Sequence, residues 1–154
     1  MSQPVRNIFE VYIHTTPEKL WDAITNGELT QQYFYGGRLK ATPRKPGDRL
    51  TYIDDDDGST MLDGEVLEID PPRKLVQTFE HKWETHMDPV PSRVTWEITQ
   101  LGGTCKLALE HVFERDGEIV EQTRSGWSVI LSGLKTLLET GGPLTIEFPV
   151  EAKA

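Results

Sequence analysis

Apolar residues recur along the chain with two different periods, and the change of period marks its parts. In residues 118–140 the spacing is helical: Val120, Trp127, Leu131, Leu134 and Leu138 fall on one line at about 100° per residue. Charged residues and serines occupy the other side, and Gly141-Gly142-Pro143 follows. The pattern predicts one long amphipathic helix over residues 118–140. Its apolar stripe is wide enough to be buried against a sheet.

The N-terminal part has a strand pattern followed by helix signals. Residues 5–14 read as a strand. Thr15-Thr16-Pro17-Glu18 has the features of a helix start, because threonine caps a helix, proline suits the first turn and the glutamate follows three positions after Thr15. This predicts a helix that runs to about Thr25 and is ended by Asn26-Gly27. A second short helix is predicted at residues 28–34, which ends in aromatic residues.

Between residues 38 and 113 the helical period gives way to alternation of period two. Six strands are predicted there, at residues 38–41, 48–53, 60–69, 74–83, 92–99 and 104–113. Turn-forming pairs such as Asp57-Gly58 and Gly102-Gly103 separate them about every ten residues, which favours consecutive antiparallel strands. The order strand, two short helices, six strands and long helix predicts an α+β fold.

Composition narrows the class of protein. A chain of 154 residues suits one domain at residues 1–154, with a core at about 5–141 and a tail at 142–154. The net charge of −9 argues against nucleic acid as a partner. No apolar run approaches the roughly 20 residues of a membrane span. Because the N-terminus lacks a signal-peptide pattern and the only cysteine is Cys105, we expect a cytoplasmic protein with a buried, inert thiol.

Motifs of catalytic and cofactor sites are missing from the sequence. It has no GxSxG, P-loop or GxGxxG pattern. The acidic run at residues 54–57 fails the spacing of an EF-hand and is interpreted as a solvated hairpin turn. His14, His81, His86 and His111 lack metal-ligand spacing, and Asp63 with Glu65 has no third acid-base partner. We therefore predict no metal, no cofactor and no catalytic residue.

Several polar residues nevertheless fall on strand faces that are otherwise apolar. His111 shares a face with Leu107 and Leu109, and Gln77 and His81 share one with Phe79. Each is either a hydrogen-bonded core residue or a group that lines a cavity and orients a ligand. Trp96 and Trp127 either fill the core or form the apolar wall of a pocket. Arg124, at the margin of the helical stripe, either reaches water or binds a ligand carboxylate.

One cluster of basic residues needs a structural explanation. A basic cluster between residues 38 and 49 is either a solvated loop or a contact for an acidic partner. Its members are Arg38, Lys40, Arg44, Lys45 and Arg49.

Five segments carry a resemblance to a known family. They are residues 16–21, residues 29–34 with Gly36-Gly37, residues 64–75 with their Glu-x-Asp-Pro-Pro-Arg turn, residues 92–96, and the tryptophan-led helix at 126–141. Together they resemble single-domain bacterial relatives of the C-terminal domain of the activator of Hsp90 ATPase, in the START-like (SRPBCC) superfamily. The resemblance implies the helix-grip fold, in which a six- to seven-stranded antiparallel sheet wraps around the long C-terminal helix and two short helices lie between strands 1 and 2. The separate N-terminal domain that the eukaryotic co-chaperone uses to bind Hsp90 is not expected here.

The resemblance also implies a function: a cavity between the sheet and the last helix that holds a small hydrophobic or amphipathic ligand. The residues expected around it are Trp127, Leu131, Leu134, Trp96, Phe79, Tyr33 and Phe34 as walls, with Gln77, His81, His111 and Arg124 as polar anchors. One alternative is a co-chaperone of an Hsp90-type chaperone, or a stress-response regulator. A second is a cyclase or hydrolase acting on an aromatic or polyketide-like substrate, which is less favoured because no acid-base set is present. Whether Trp127 fills the core or borders a void decides between a ligand site and a solid core.

Overall fold

The computed structural model describes residues 4–82 and 91–147. Trp83 and His86, and the part of the tail from Phe148 onward, lie outside the described residues. The elements in chain order are β1 Val5–Ile13, α1 Pro17–Thr25, α2 Gly27–Thr30, β2 Gly37–Leu39, β3 Tyr52–Asp54, β4 Thr60–Asp63, β5 Val66–Asp70, β6 Lys74–His81, β7 Ser92–Leu101, β8 Thr104–Phe113 and α3 Glu118–Thr140.

The strands form one antiparallel sheet. Their order is β1-β8-β7-β6-β4-β3-β2, and β5 also pairs with β6. The first strand therefore pairs with the last, in a continuous register from Val5↔Phe113 to Ile13↔Cys105. With two short helices after β1 and one long C-terminal helix, the predicted α+β helix-grip fold is confirmed.

The long helix has the bounds that the sequence predicts. Its buried side includes Val120, Trp127, Leu131 and Leu134, which pack on the concave side of the sheet. It ends at Gly141, whose φ of 86° is the left-handed conformation that glycine adopts readily, and whose N–H donates to the Leu137 carbonyl. None of the described helices is both long and apolar enough to cross a membrane.

The segment predicted as one strand at residues 60–69 is two strands, so that prediction is wrong. The break lies at Gly64, where a Cβ atom would come within 2.0 Å of the Thr78 carbonyl oxygen. The neighbouring Glu65 N–H donates to Thr78 Oγ1 over 2.9 Å, a side-chain contact in place of a regular ladder bond. Both halves pair with β6, β4 through Leu62↔His81 and β5 through Val66↔Gln77.

The second short helix and the strands beside it also differ from their predicted bounds. The helix predicted at residues 28–34 ends at Thr30, because the buried Thr30 hydroxyl donates to the Gly37 carbonyl and accepts from the Leu39 N–H. Turns follow, and both Tyr35 (φ 52°) and Gly36 (φ 77°) are left-handed. The strands predicted at 38–41 and 48–53 are the shorter β2 and β3, and Arg49 makes only an isolated bridge to Glu65.

Polar side chains of α3 cap backbone groups at the β1 end of the sheet. Lys135 Nζ donates to the Tyr12 carbonyl over 2.7 Å, and the His14 N–H donates to Glu139 Oε2 over 2.8 Å. Lys135 and Glu139 are themselves paired over 2.8 Å. These groups lie at the C-terminal end of the edge strand and just after it, so the helix covers part of an edge that would otherwise be open to pairing.

Candidate ligand pocket

Trp127 lies at the centre of the interior, between α3 and the sheet, and is only 2% exposed. Its ring centroid is 5.5 Å from that of Trp96, 5.6 Å from Phe79 and 5.8 Å from Phe34. On the side that faces Trp96 and His111 the indole therefore packs against other rings. On this side the core is filled.

A chain of hydrogen bonds fixes the Trp127 indole. Its Nε1–H donates to His111 Nδ1 over 2.9 Å, and since an indole nitrogen only donates, Nδ1 must be the acceptor. The proton of the neutral imidazole is then on Nε2, which lies 2.7 Å from Ser92 Oγ. Ser92 in turn donates to the Phe79 carbonyl over 3.0 Å. The order of donors and acceptors makes His111 a satisfied, neutral core residue.

A second buried polar pair lies next to this chain. Trp96 Nε1–H donates to Gln77 Oε1 over 2.8 Å, and the two side chains are 0% and 1% exposed. Tyr52 is buried nearby; burial raises the pKa of its hydroxyl, and the Gln77 amide partly opposes that effect. Two of the four predicted polar anchors, Gln77 and His111, thus bind other core residues in this structure.

A pocket of about 320 Å³ opens on the other side of Trp127. Most of its wall is apolar and aromatic, contributed by the turn after α2, by β4, β6 and α3. The apolar wall consists of Phe34, Met61, Leu62, Phe79, Trp127 and Ile130. The polar lining consists of His81, Gln122, Thr123 and Ser125, with Tyr35 and Gly126 completing the boundary.

The pocket has a solvent-exposed mouth and a buried floor. Tyr35 is 54% exposed, and Gln122 and Ser125 are also exposed, so these residues form the mouth. Partial burial raises the pKa of the Tyr35 hydroxyl above its ordinary value, and the hydroxyl is a protonated donor at neutral pH in either case. His81, 2% exposed, stands edge-on to Phe79 at a centroid distance of 5.4 Å and supplies a polar group at the floor.

Gly126 determines how much space the mouth has. It lines the pocket in the middle of α3, where a helix would ordinarily favour a larger residue. A Cβ atom there would have the Tyr35 ring as a neighbour, at 3.9 Å from Cε2. The glycine therefore leaves room between the helix and the tyrosine ring.

The structure brings together four of the residues that the sequence places around a cavity: Phe34, Phe79, His81 and Trp127. The other expected walls are buried elsewhere in the core: Trp96, Leu131, Leu134 and Tyr33. Tyr33 donates its hydroxyl proton to the Ala23 carbonyl over 2.7 Å.

Arg124 does not line the pocket. It is exposed on α3 and binds Glu121 and, over 3.1 Å, Asn7 Oδ1, because its position at the stripe margin directs it toward β1 and solvent. The sequence reasoning did not place eight lining residues around the cavity: Tyr35, Met61, Leu62, Gln122, Thr123, Ser125, Gly126 and Ile130. Of these, Gln122 and Gly126 lie four residues apart on the helix face beside Trp127, and their helical spacing is a usable signal.

Three members of the basic cluster pair with nearby carboxylates. In the basic cluster, Arg38 pairs with Asp55 over 2.8 Å and Lys45 with Asp48 over 3.9 Å. Arg49 lies 2.8 Å from Asp63 and 3.9 Å from Glu65, so the two carboxylates share one guanidinium. Within residues 4–82 and 91–147, no three His, Cys, Asp or Glu side chains are grouped closely enough to hold a metal ion.

The chain is similar in sequence to one protein family and in structure to many solved proteins. A family model for Activator of Hsp90 ATPase homolog 1-like proteins matches residues 14–139. No curated protein matches the chain. Many solved structures do, and a Mesorhizobium loti protein from a structural genomics programme is 28% identical with a TM-score of 0.72, over 87% of this chain and 96% of its own.

Two further structures come with a genetic or functional context of their own. DynU16, a protein in the dynemicin biosynthetic locus, is 26% identical with a TM-score of 0.73, over 93% of this chain and 49% of that chain. An HSP90 activator from Plasmodium falciparum is 22% identical with a TM-score of 0.70, over 86% of this chain and 95% of its own. At 22% identity this last likeness concerns the fold alone.

Proposed function

Since this chain belongs to the Activator of Hsp90 ATPase homolog 1-like family, with the START-like fold, we propose that it binds one small amphipathic molecule in the pocket beside Trp127. The observation that carries the proposal is the pocket itself: about 320 Å³, with apolar walls and polar groups restricted to the mouth and the floor. Small-molecule sites have this size and this distribution of polarity.

The lining indicates the chemistry of the ligand. Phe34, Phe79 and Trp127 offer aromatic surfaces, and Met61 is a flexible apolar side chain that adapts to ligand shape. A ligand that transfers roughly 200 Å² of apolar surface out of water gains about 5 kcal/mol at 25 cal/mol/Å². By itself this gain corresponds to a dissociation constant of roughly 0.2 mM. Because part of it offsets the lost freedom of association, we expect affinities in the submillimolar to millimolar range.

The orientation of the Trp127 indole, which forms one wall of the pocket, is fixed before a ligand binds. Because the indole is held by His111 and the imidazole by Ser92, binding does not have to order it. Preorganised walls reduce the entropic cost of association.

A pair of matched variants tests the proposal. Ser125 and Ser128 are both exposed serines on α3, but only Ser125 lies at the pocket mouth. N-phenyl-1-naphthylamine, which fluoresces in apolar surroundings, is titrated into the native chain and into Ser125→Trp and Ser128→Trp. We expect saturable binding that Ser125→Trp weakens at least about tenfold by blocking the mouth. Ser128→Trp should bind as the native chain does. No saturable signal, or equal weakening by both variants, contradicts the proposal.

A co-chaperone role is the second function considered, because the family model bears the name of the Hsp90 activator. It predicts direct binding to a bacterial Hsp90 and faster ATP turnover by that chaperone. A turnover rate that stays flat at saturating protein eliminates this role. Ser125→Trp should leave any such stimulation unchanged if the two functions use different surfaces.

An enzyme of aromatic-ring chemistry is a third possibility, which the likeness to a protein in the dynemicin biosynthetic locus keeps in consideration. Mass spectrometry of the molecules that copurify with the native protein separates it from a carrier. A carrier yields one bound species unchanged by incubation, and an enzyme converts it.

A further inference from the structure

The backbone groups of the edge strand β1 face two ways. The Tyr12 carbonyl accepts from Lys135 of α3 over 2.7 Å and so points away from β8. The His14 N–H donates to Glu139 of the same helix over 2.8 Å and points the same way. In an antiparallel strand the N–H and C=O of one residue point to the same side, and that side alternates from residue to residue. The even-numbered residues of β1 therefore direct their backbone outward, and the odd-numbered ones bond to β8.

The registers of the inner strands give the same assignment. The Thr78 N–H donates to the Glu65 carbonyl on the side of β6 that faces away from β7, so the odd-numbered residues of β6 bond to β7. Gln77 lies opposite Val94, which leaves the odd-numbered residues of β7 to bond to β8. Carrying the alternation on through β8 assigns the odd-numbered residues of β1 to β8 and the even-numbered ones to the outer edge.

Three consecutive even-numbered residues leave this edge open: Arg6, Ile8 and Glu10. Their backbone N–H and C=O groups have no hydrogen-bond partner on the outer side among residues 4–82 and 91–147. Their side chains are exposed on the convex face of the sheet, and Ile8 in the middle is 56% exposed. An uncovered strand edge of this kind is a template for pairing with another strand.

The open segment is complementary to itself when a second copy runs antiparallel to it. With Ile8 opposite Ile8 of the second copy, Arg6 lies opposite Glu10, and all the outward backbone groups meet one another. A shift of two residues one way places Glu10 opposite Pro4, which has no N–H to donate. The opposite shift places Arg6 opposite Tyr12, whose carbonyl α3 already binds. One register therefore fits the edge.

The charges around the edge favour the same register. Charged side chains on an edge strand usually prevent pairing, but here they are opposite in sign and symmetric about Ile8. Arg6 binds Glu110 and is 65% exposed, and Glu10 lies 3.5 Å from Lys106 and is 49% exposed. Across the edge, Arg6 would meet Glu10 of the second copy, and each would keep its partner on β8. Opposite charges that face each other across an antiparallel pair stabilise it.

We infer that the edge of β1 from Arg6 to Glu10 is an interface for a second copy of this chain, which pairs antiparallel about Ile8 and continues the sheet of one copy into that of the other. The contact uses the same residues on both copies and closes at the dimer. Because only three residues of each copy contribute backbone hydrogen bonds, we expect association to depend on concentration. The interface lies away from the pocket beside Trp127, so its test and that of the pocket are independent.

A charge exchange tests the register. Sedimentation equilibrium measures the mean mass of the native chain, Arg6→Glu and the double variant Arg6→Glu/Glu10→Arg at concentrations up to about 1 mM, a range that covers weak association. Arg93→Glu is the matched control. Arg93 is exposed on the inner strand β7, and its reversal changes the net charge by the same amount.

We expect the mass of the native chain to rise with concentration toward twice that of one chain. Arg6→Glu should raise the dissociation constant at least about tenfold, because two attractive pairs become repulsive. The double variant should restore association, and Arg93→Glu should associate as the native chain does. A native chain that stays monomeric leaves the edge to a strand of another protein and overturns the inference. Failure of the double variant to recover, or equal weakening by Arg93→Glu, overturns it as well.

Amide hydrogen exchange of the native chain tests the edge without any variant. The N–H groups of Arg6, Ile8 and Glu10 should be protected in concentrated solution and exchange faster on dilution. The Phe9 N–H, which bonds to β8, should be protected at both concentrations. Rapid exchange of the Ile8 N–H in a solution that sedimentation shows to be dimeric would assign the contact to another surface and contradict the pairing.

Discussion

Replacing Trp127 with phenylalanine tests the hydrogen bond that ties α3 to β8. The change keeps an aromatic ring but removes the Nε1–H donor, which leaves His111 Nδ1 buried without that partner. An unsatisfied buried acceptor costs about 1–3 kcal/mol. The loss of about three heavy atoms from a closely packed site adds roughly 2 kcal/mol. We expect the free energy of unfolding to fall by about 4 kcal/mol in total.

Urea denaturation followed by circular dichroism measures this change. With a slope of about 2 kcal/mol/M, the midpoint should fall by about 2 M. Trp21→Phe is the matched control, because Trp21 is only partly buried on α1 and packs at the margin of the core. Ser92→Ala breaks the far end of the same chain with almost no change in volume and should cost about 1–3 kcal/mol. A midpoint shift for Trp127→Phe no larger than that for Trp21→Phe would refute the stabilising role of the chain.

Three other predictions concern single positions. Gly126→Ala should stabilise the fold by about 0.5–1 kcal/mol through helix propensity, which raises the melting temperature, and it should weaken dye binding. Gly133→Ala should lower the melting temperature, because the new Cβ would lie 3.1 Å from Tyr33 Cβ. Equal shifts of melting temperature for the two variants would contradict the packing argument. Gly64→Ala should destabilise by about 3 kcal/mol in thermal melts, since its Cβ would lie 2.0 Å from a backbone oxygen, and a native melting temperature would refute that close approach. Partial burial acts to raise the pKa of Asp63, but hydrogen bonds from Thr51 and Arg49 outweigh that effect and hold the pKa below its usual range. The ionised Asp63 therefore stabilises the fold fully above about pH 4, and this stabilisation is lost as the pH falls through the pKa of the folded state. Asp63→Asn should accordingly show a smaller loss of urea midpoint between pH 7 and pH 3 than the native chain, and an unchanged loss would exclude Asp63 as a contributor.

Elements with a strong period and clear end signals were predictable from sequence. The bounds of β8 and α3 match the predicted ones, because alternation ends at Phe113 ahead of the Asp116-Gly117 turn and helical spacing runs from Glu118 to the glycine at 141. The break between β4 and β5 was missed because apolar residues continue on both sides of Gly64. That break depends on the approach of a carbonyl from another strand, which no local pattern reveals.

The candidate site was harder to predict, since it depends on register. Sequence alone places His111, Gln77 and Trp96 on inward faces, but their pairings require the alignment of β6 with β7 and of β7 with β8. That alignment places Val94 opposite both Gln77 and His111, and the side chains around it then satisfy each other. Tyr35 and Met61 reach the pocket from a turn and a short strand, which have no periodicity to mark them.

The contacts of α3 with β1 have a consequence for synthesis. During translation β1 emerges first, but its partner strand begins only at Thr104, and the side chains that cap its edge follow at Lys135 and Glu139. A nascent chain arrested before these residues would carry a strand with nothing to pair with, and that strand includes Ile8 and Tyr12, which stay exposed even in the folded protein. Pairing of the first strand with the last also raises the contact order, which slows folding. Until nearly all of its core has left the ribosome, the nascent protein therefore needs to be protected against aggregation with other chains.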